Sequence, residues 1–240
     1  MREPYCGLWQ ADLTWYQQWN VDPAAWALLA CAALGACLGR GDLRATRLAA
    51  LGVAALLWLS PLCPLSATLL SARTGHHVAV MLAFAPLAAR AWPVAPRFLP
   101  VAVAGLLSAA VMAAWYVPAL YALQWRSDLA YALLQAAMAG AAWQLWLGWS
   151  RASVGREHEA IPAVAALALL ALAMGLLAAL LTFAPRVLLV EHLMAAPRLG
   201  LDALGDQRIA GLAMWTLGMA PLAAVVALSL RGRFARMVAG

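Results

Sequence analysis

Four cysteines, four histidines and nine methionines are the only soft or imidazole donors in this 240-residue chain, so any metal chemistry must be built from them. Cys63 lies between Pro61 and Pro64. His76 and His77 follow closely, and Met81 stands one helical turn beyond His77 on the same face. A thiol, an imidazole and a thioether at one depth suit Cu(I). Adjacent residues on a helix diverge by ~100°, so at most one of the two imidazoles enters a given site. The plainer alternative is a solvated histidine pair with Met81 as packing. Cys31 and Cys37 share no helical face and are expected as buried free thiols, whereas Cys6 forms a disulfide only if its side is oxidising, and it has no evident partner. His158, between Glu157 and Glu159, reads as a solvated loop residue. There is no phosphate loop, nucleophile elbow or zinc spacing, and no nucleophile–base or acid pair that one cavity would join. No enzyme is expected. Haem ligation would need histidines deep within helices, and none of the four is deep.

A second polar constellation runs Asp206-Gln207-Arg208-Ile209-Ala210-Gly211-Leu212-Ala213-Met214-Trp215. Asp206 is expected to cap the helix it opens, accepting from the first free N–H groups. Gly211, Met214 and Gly218 fall at i, i+3 and i+7, a narrow seam for close helix contact. Glu191, His192 and Met194 precede it in a loop.

The elements that must position these residues follow from charge spacing. Charges are absent from 23–39, 48–72, 74–89, 98–125, 129–150, 160–185 and 209–230, leaving seven apolar windows. A bilayer core needs about 20 apolar residues per helix. Six windows meet this, and the third spans if Arg73 and Arg90 snorkel to the two interfaces. With 66% hydrophobic and 11% charged residues and a mean hydropathy of +0.82, little is left for a soluble domain. The expectation is an all-α integral membrane protein: an outer interfacial segment over 1–22, a seven-helix transmembrane bundle over 23–230, and a basic cytoplasmic tail over 231–240.

The sixteen basic residues are all arginine and sit at helix ends, so topology rather than nucleic acid explains the +6 charge. With the N-terminus outside, ten arginines fall inside (Arg40, Arg44, Arg47, Arg90, Arg97, Arg151, Arg156, Arg231, Arg233, Arg236) and six outside (Arg2, Arg73, Arg126, Arg186, Arg198, Arg208), a positive-inside bias. The C-terminus is then cytoplasmic. Residues 1–22 lack the pattern of a cleavable signal. Pro61 and Pro64 are expected to break span two, and Pro86 to bend span three.

The segment Asp206-Gln207-x-x-x-Gly211-x-x-Met214-Trp215 resembles the signature of the CtaG-type (caa-type) cytochrome c oxidase assembly factors. Trp19-x-x-Asp22-Pro23, Gly39-Arg40, Ser60-Pro61-Leu62, Leu65-Ser66, Ser71-Ala72, Ala85-Pro86-Leu87, Pro118-x-x-Tyr121 and Thr182-Phe183 continue the resemblance in order. It implies a multi-pass protein of a bacterial cytoplasmic membrane that helps assemble a haem-copper oxidase of the respiratory chain. Such a metallochaperone would assist copper insertion at the outer face, with His77, His76, Cys63 and Met81 as candidate ligands and Asp206 organising the site. The departures are specific. Where the family runs His-Met-x-x-His, this chain has Arg73, Thr74 and His77; family histidines near span five are replaced around Tyr131, Leu134 and Gln135, and one before the proline of span four by Trp115 or Tyr116. The alternative is therefore a metal-free scaffold or accessory subunit that binds an integral membrane complex through its Ala/Gly-rich faces. A transporter would need polar groups along the whole midplane, and the windows offer few.

Overall fold

The Ser-Pro-Leu-Cys-Pro run does what its prolines require: it ends one helix and starts another. In the computed structural model, which describes residues 3–38, 42–93, 98–153 and 157–239, helix α2 (Arg44–Trp58) stops there, and α3 (Leu62–Thr68) leaves at 42° to it. Gly39–Arg40, Arg2, Arg97 and Arg156 lie outside the described residues, as do the side chains of Glu157, His158, Glu159, Arg233 and Arg236. Before this pair comes α1 (Pro23–Leu38). After it, α4 (Leu70–Ala79), a π-helical stretch over Val80–Phe84 and α5 (Ala85–Ala91) form one rod. Pro86 has no N–H to give the α-helical ladder, and the chain passes into it through i→i−5 bonds, such as that from Ala85 N to the Val80 carbonyl.

Helices α6 (Val101–Ala114) and α7 (Pro118–Arg126) follow, then α8 (Asp128–Ser153) and α9 (Glu157–Phe183). Last come α10 (Ala203–Ala213), a second π-helical stretch over Met214–Met219, and α11 (Ala220–Ala239), which continues through the segment expected as a tail. No strand occurs among the described residues.

The seven apolar windows fall on helical segments in order, but not as seven straight spans. Ala160–Phe183 and Ala203–Gly232 are each long and apolar enough to cross a membrane. The α2–α3 and α6–α7 pairs reach that length only as bent units, and α1 is shorter at 16 residues. Length and composition thus give two to four spans among the described residues. The break in window 98–125 is the largest departure: the chain turns by 77° at Trp115–Val117, because Pro118 starts α7 with a fixed φ and the residue before it is held extended.

Helix α9 lies at the centre, packed by α6, α8, α10 and α11, while α8 also takes α5 and α7. Small residues set these distances: a Cβ on Gly105 of α6 would stand 2.5 Å from Ala166 Cβ of α9. The outward faces are apolar. Leu172, Leu176 and Leu180 line one exposed stripe of α9, and Leu129 and Leu133 are exposed on α8, apolar surface of the kind that suits lipid or another apolar partner. Cys31 and Cys37 belong to this exterior. Both are exposed rather than buried, because α1 packs chiefly on α2 and only its Ala36 is buried.

Candidate functional site

The polar residues converge at the break between α3 and α4. Leu69 is extended there, so α4 begins afresh with free N–H groups. Asp206 fills that need, fully buried: its carboxylate accepts from Leu70 N (2.6 Å), Ser71 N (3.2 Å) and Ser71 Oγ (2.5 Å). The expected cap thus serves a different helix. Asp206 stands a full turn inside α10, too far along to reach that helix's own first amides, and Asp202 caps α10 by accepting from Gly205 N at 2.7 Å. Thr68, just before the break, ties down two more segments. Its Oγ1 accepts from Trp9 N (2.7 Å), and its carbonyl accepts from His192 Nδ1 (3.0 Å). His192 Nε2 then accepts from the Tyr121 hydroxyl at 2.6 Å. Burial pushes this imidazole, in the loop between α9 and α10, down to about 4.

One turn into α4 sits a buried cation. Arg73 does not snorkel; it is 1% exposed, its Nε donates to the Ser66 carbonyl (3.0 Å), and its guanidinium carbon lies 5.6 Å from the Trp115 ring and 5.5 Å from that of Tyr131. The Tyr121 and Tyr131 hydroxyls are within its hydrogen-bonding reach, yet Nη1 has no partner. Two aromatic faces thus hold a charge that no described carboxylate pairs, the nearby Asp206 being spent on the α4 terminus.

His76 and His77 are both buried, not solvated, and they diverge as helical geometry demands. His76 turns to the Leu57 backbone and the edge of Trp58. His77 packs on Trp115 with centroids 4.4 Å apart, and neither ring nitrogen has a partner. Thr74 bonds the Tyr116 hydroxyl (2.8 Å), and Gln135 Nε2 donates to that of Tyr131 (3.4 Å). Met81 is fully buried, its carbonyl taken by Trp146 Nε1.

The N-terminal segment lies over this cluster. The Tyr5 ring stacks on Tyr131 at 5.1 Å, and its hydroxyl donates to Asp22. Partial burial and then that bond push the Tyr5 phenol up to about 12, while the same bond holds Asp22 below the usual carboxylate range. Cys6 is joined to Cys63 by a disulfide, with Cα atoms 5.5 Å apart. This corrects the expectation that Cys6 lacks a partner, and it removes Cys63 as a thiolate ligand while the bond is intact. The 57 intervening residues hid the pairing.

With this geometry in view, the comparisons with known proteins decide the family. Residues 44–235 match the model of the cytochrome c oxidase caa3 assembly factor (Caa3_CtaG). The chain belongs to that family. Neither the curated proteins nor the solved structures compared with it give a match. The residues of the family signature prove to be packing devices here. Gln207 donates to the Leu181 and Arg186 carbonyls and accepts from Leu188 N, clamping the exit of α9. At Gly211 a Cβ would meet the Ala178 carbonyl at 2.7 Å and Thr182 N at 2.9 Å, so only glycine lets α10 approach α9 this closely. Met214 is buried, and Trp215 Nε1 donates to the Gly175 carbonyl.

The positions where this chain departs from the histidine pattern come together in space. Trp115 and Tyr116 pack on His77, Tyr131 packs on Trp115, Arg73 lies against the Trp115 and Tyr131 rings, and Gln135 bonds the Tyr131 hydroxyl. Copper does not fit the donors expected from sequence. His76 and His77 face different helices, Cys63 is oxidised, and no group of three His, Cys, Asp or Glu exists among the described residues. The guanidinium shares the Trp115 ring with His77, and at a separation of about 10 Å or less it would repel a monovalent cation by roughly 2 kcal/mol at an effective dielectric of about 20.

Proposed function

We propose that this chain assists assembly of a haem-copper cytochrome c oxidase at the outer face of a bacterial cytoplasmic membrane. It acts there as a non-catalytic scaffold that holds an oxidase subunit, crossing the bilayer with its N-terminus outside and its C-terminus in the cytoplasm. Membership of the assembly-factor family over 44–235 supports the oxidase as partner, and the arginine bias and exposed leucine stripes support the topology. The observation that carries the scaffold reading is the buried Arg73. A fixed cation with aromatic walls occupies the volume around His77, and it braces three helices rather than leaving an open imidazole site.

The test is replacement of the chain in its own cell by a His76→Gln/His77→Gln variant. Oxidase activity at the parental level, with oxidase subunits co-purifying with the variant, is the expected result. Loss of oxidase activity that added copper restores, at unchanged variant abundance, would overturn the scaffold reading in favour of copper insertion through the imidazoles.

A further inference from the structure

We infer that the polar core binds one small monovalent anion of chloride size, held by Arg73, Trp115 and His77. Such a site goes beyond the scaffold reading, which uses Arg73 only as a brace. Arg73 and His77 stand four residues apart on α4 and share a face, and both lie against Trp115 at the α6–α7 turn. All three side chains are fully buried. Each also carries nitrogen without a partner: Arg73 Nη1, Trp115 Nε1 and both ring nitrogens of His77.

The guanidinium and indole nitrogens only donate, so what these groups lack is an acceptor. A neutral imidazole adds one more N–H. The Arg73 guanidinium carbon lies 5.6 Å and the His77 ring centre 4.4 Å from the centre of the Trp115 ring. An acceptor about 3 Å from each of two donors serves a pair up to about 6 Å apart, so one ion can bridge these groups. Gln135 can join them: a half-turn of its amide lets the unpartnered oxygen accept from the Tyr131 hydroxyl and frees the NH2 group as a further donor.

The sign of the ligand follows from the charges. A buried cation without a counterion is costly, and no carboxylate among the described residues pairs with Arg73, since Asp206 accepts from Leu70 N, Ser71 N and Ser71 Oγ at the start of α4. Two ring faces and the Ser66 carbonyl solvate the guanidinium but leave its charge in place. An anion supplies the missing charge and the missing acceptor together, whereas water supplies only the second. One negative charge cancels that of Arg73, and a dianion would reverse it.

The test is the thermal midpoint of the full-length detergent-purified chain as chloride replaces gluconate at fixed pH and ionic strength. An ion that binds only the folded state raises the midpoint once its concentration passes the dissociation constant. We expect that rise in the wild type, with bromide acting as chloride does, and a flat response in Arg73→Gln. Trp115→Phe keeps a ring face over the guanidinium but loses Nε1–H, and its fitted dissociation constant should be at least threefold larger. Sulfate stabilises by exclusion from the protein surface, so its effect should be equal in the wild type and Arg73→Gln. A wild-type midpoint independent of chloride would mean that water completes the site, and would overturn the proposal. Coincident chloride curves for the wild type and Arg73→Gln would do the same. Should Arg73→Gln lose its monodisperse elution, the Trp115→Phe curve decides, and an unchanged dissociation constant overturns the site. None of these outcomes touches the oxidase-assembly reading, which the replacement experiment tests in the cell without varying the anion.

Discussion

His192 joins the loop between α9 and α10 to the α3–α4 break, and its titration should show in the stability of the whole chain. A carbonyl can only accept, so Nδ1 carries the proton toward Thr68 and Nε2 accepts from Tyr121, which fixes the neutral tautomer. Desolvation lowers this group most and Arg73 lowers it further, while the Thr68 carbonyl and the charge of Asp206 oppose them, with a result near 4 against 6.5 in the unfolded chain. A histidine depressed in the fold stabilises the native state fully above pH 6.5. Between 6.5 and about 4 the unfolded chain holds a proton that the folded chain refuses, so stability falls as pH falls, by roughly 3 kcal/mol in total. For a chain of this size that corresponds to a melting shift on the order of 6–12 °C. His192→Gln keeps one donor and one acceptor but does not titrate. Thermal unfolding in non-ionic detergent at pH 7.5, 6.5, 5.5 and 4.5 should show the wild type losing several degrees more than the variant over the acid range. Carboxylates elsewhere in the chain contribute to both proteins and cancel. Parallel curves for the two would refute the claim that His192 is held neutral by burial.

Three further outcomes follow from the same contacts. Asp206→Asn turns one acceptor oxygen into an N–H group facing the α4 amides, and should cost about 1–3 kcal/mol, read as a lower denaturation midpoint. Gly211→Ala drives a methyl into the Ala178 carbonyl and should cost about 1–3 kcal/mol, whereas Gly52→Ala in α2, with nothing within 4 Å of its Cβ, should gain about 0.5–1 kcal/mol. Thermal shifts of opposite sign are the check. Trp115→Leu removes one of the two faces over Arg73 and should cost more in the wild type than in an Arg73→Leu background, a coupling of about 0.5–2 kcal/mol in a double-mutant cycle.

The apolar windows were legible because a charge inside a bilayer-length helix is expensive, so arginines mark helix ends wherever they face water. The same rule misplaces Arg73. A guanidinium that finds two aromatic faces and a carbonyl can stay inside; the carbonyl is Ser66 of nearby α3, but the two rings come from the α6–α7 turn and α8, far away in sequence. Pro61 and Pro64 announced the break after Trp58. The 77° turn before Pro118 was hidden because Trp115, Tyr116 and Val117 are as apolar as the helix they end. Asp206 was recognisable as a capping residue by type, but its target is the N-terminus of α4 across the bundle, which depends on how α10 packs. The Cys6–Cys63 bond left no trace in spacing, since the docking of Tyr5 on Tyr131 brings the two together.

What unites the polar core is how its one buried cation is balanced. Asp206, the buried carboxylate on that side, is held by three donors at the start of α4, and its charge offsets the helix terminus before it can offset Arg73. The guanidinium is left with ring faces, hydroxyls and one carbonyl, which solvate it without neutralising it. A site with that residual field disfavours adding positive charge to neutral histidines and favours anything that develops negative charge nearby. The two sulfurs beyond Tyr131 are the groups best placed to do so, and the disulfide keeps them neutral.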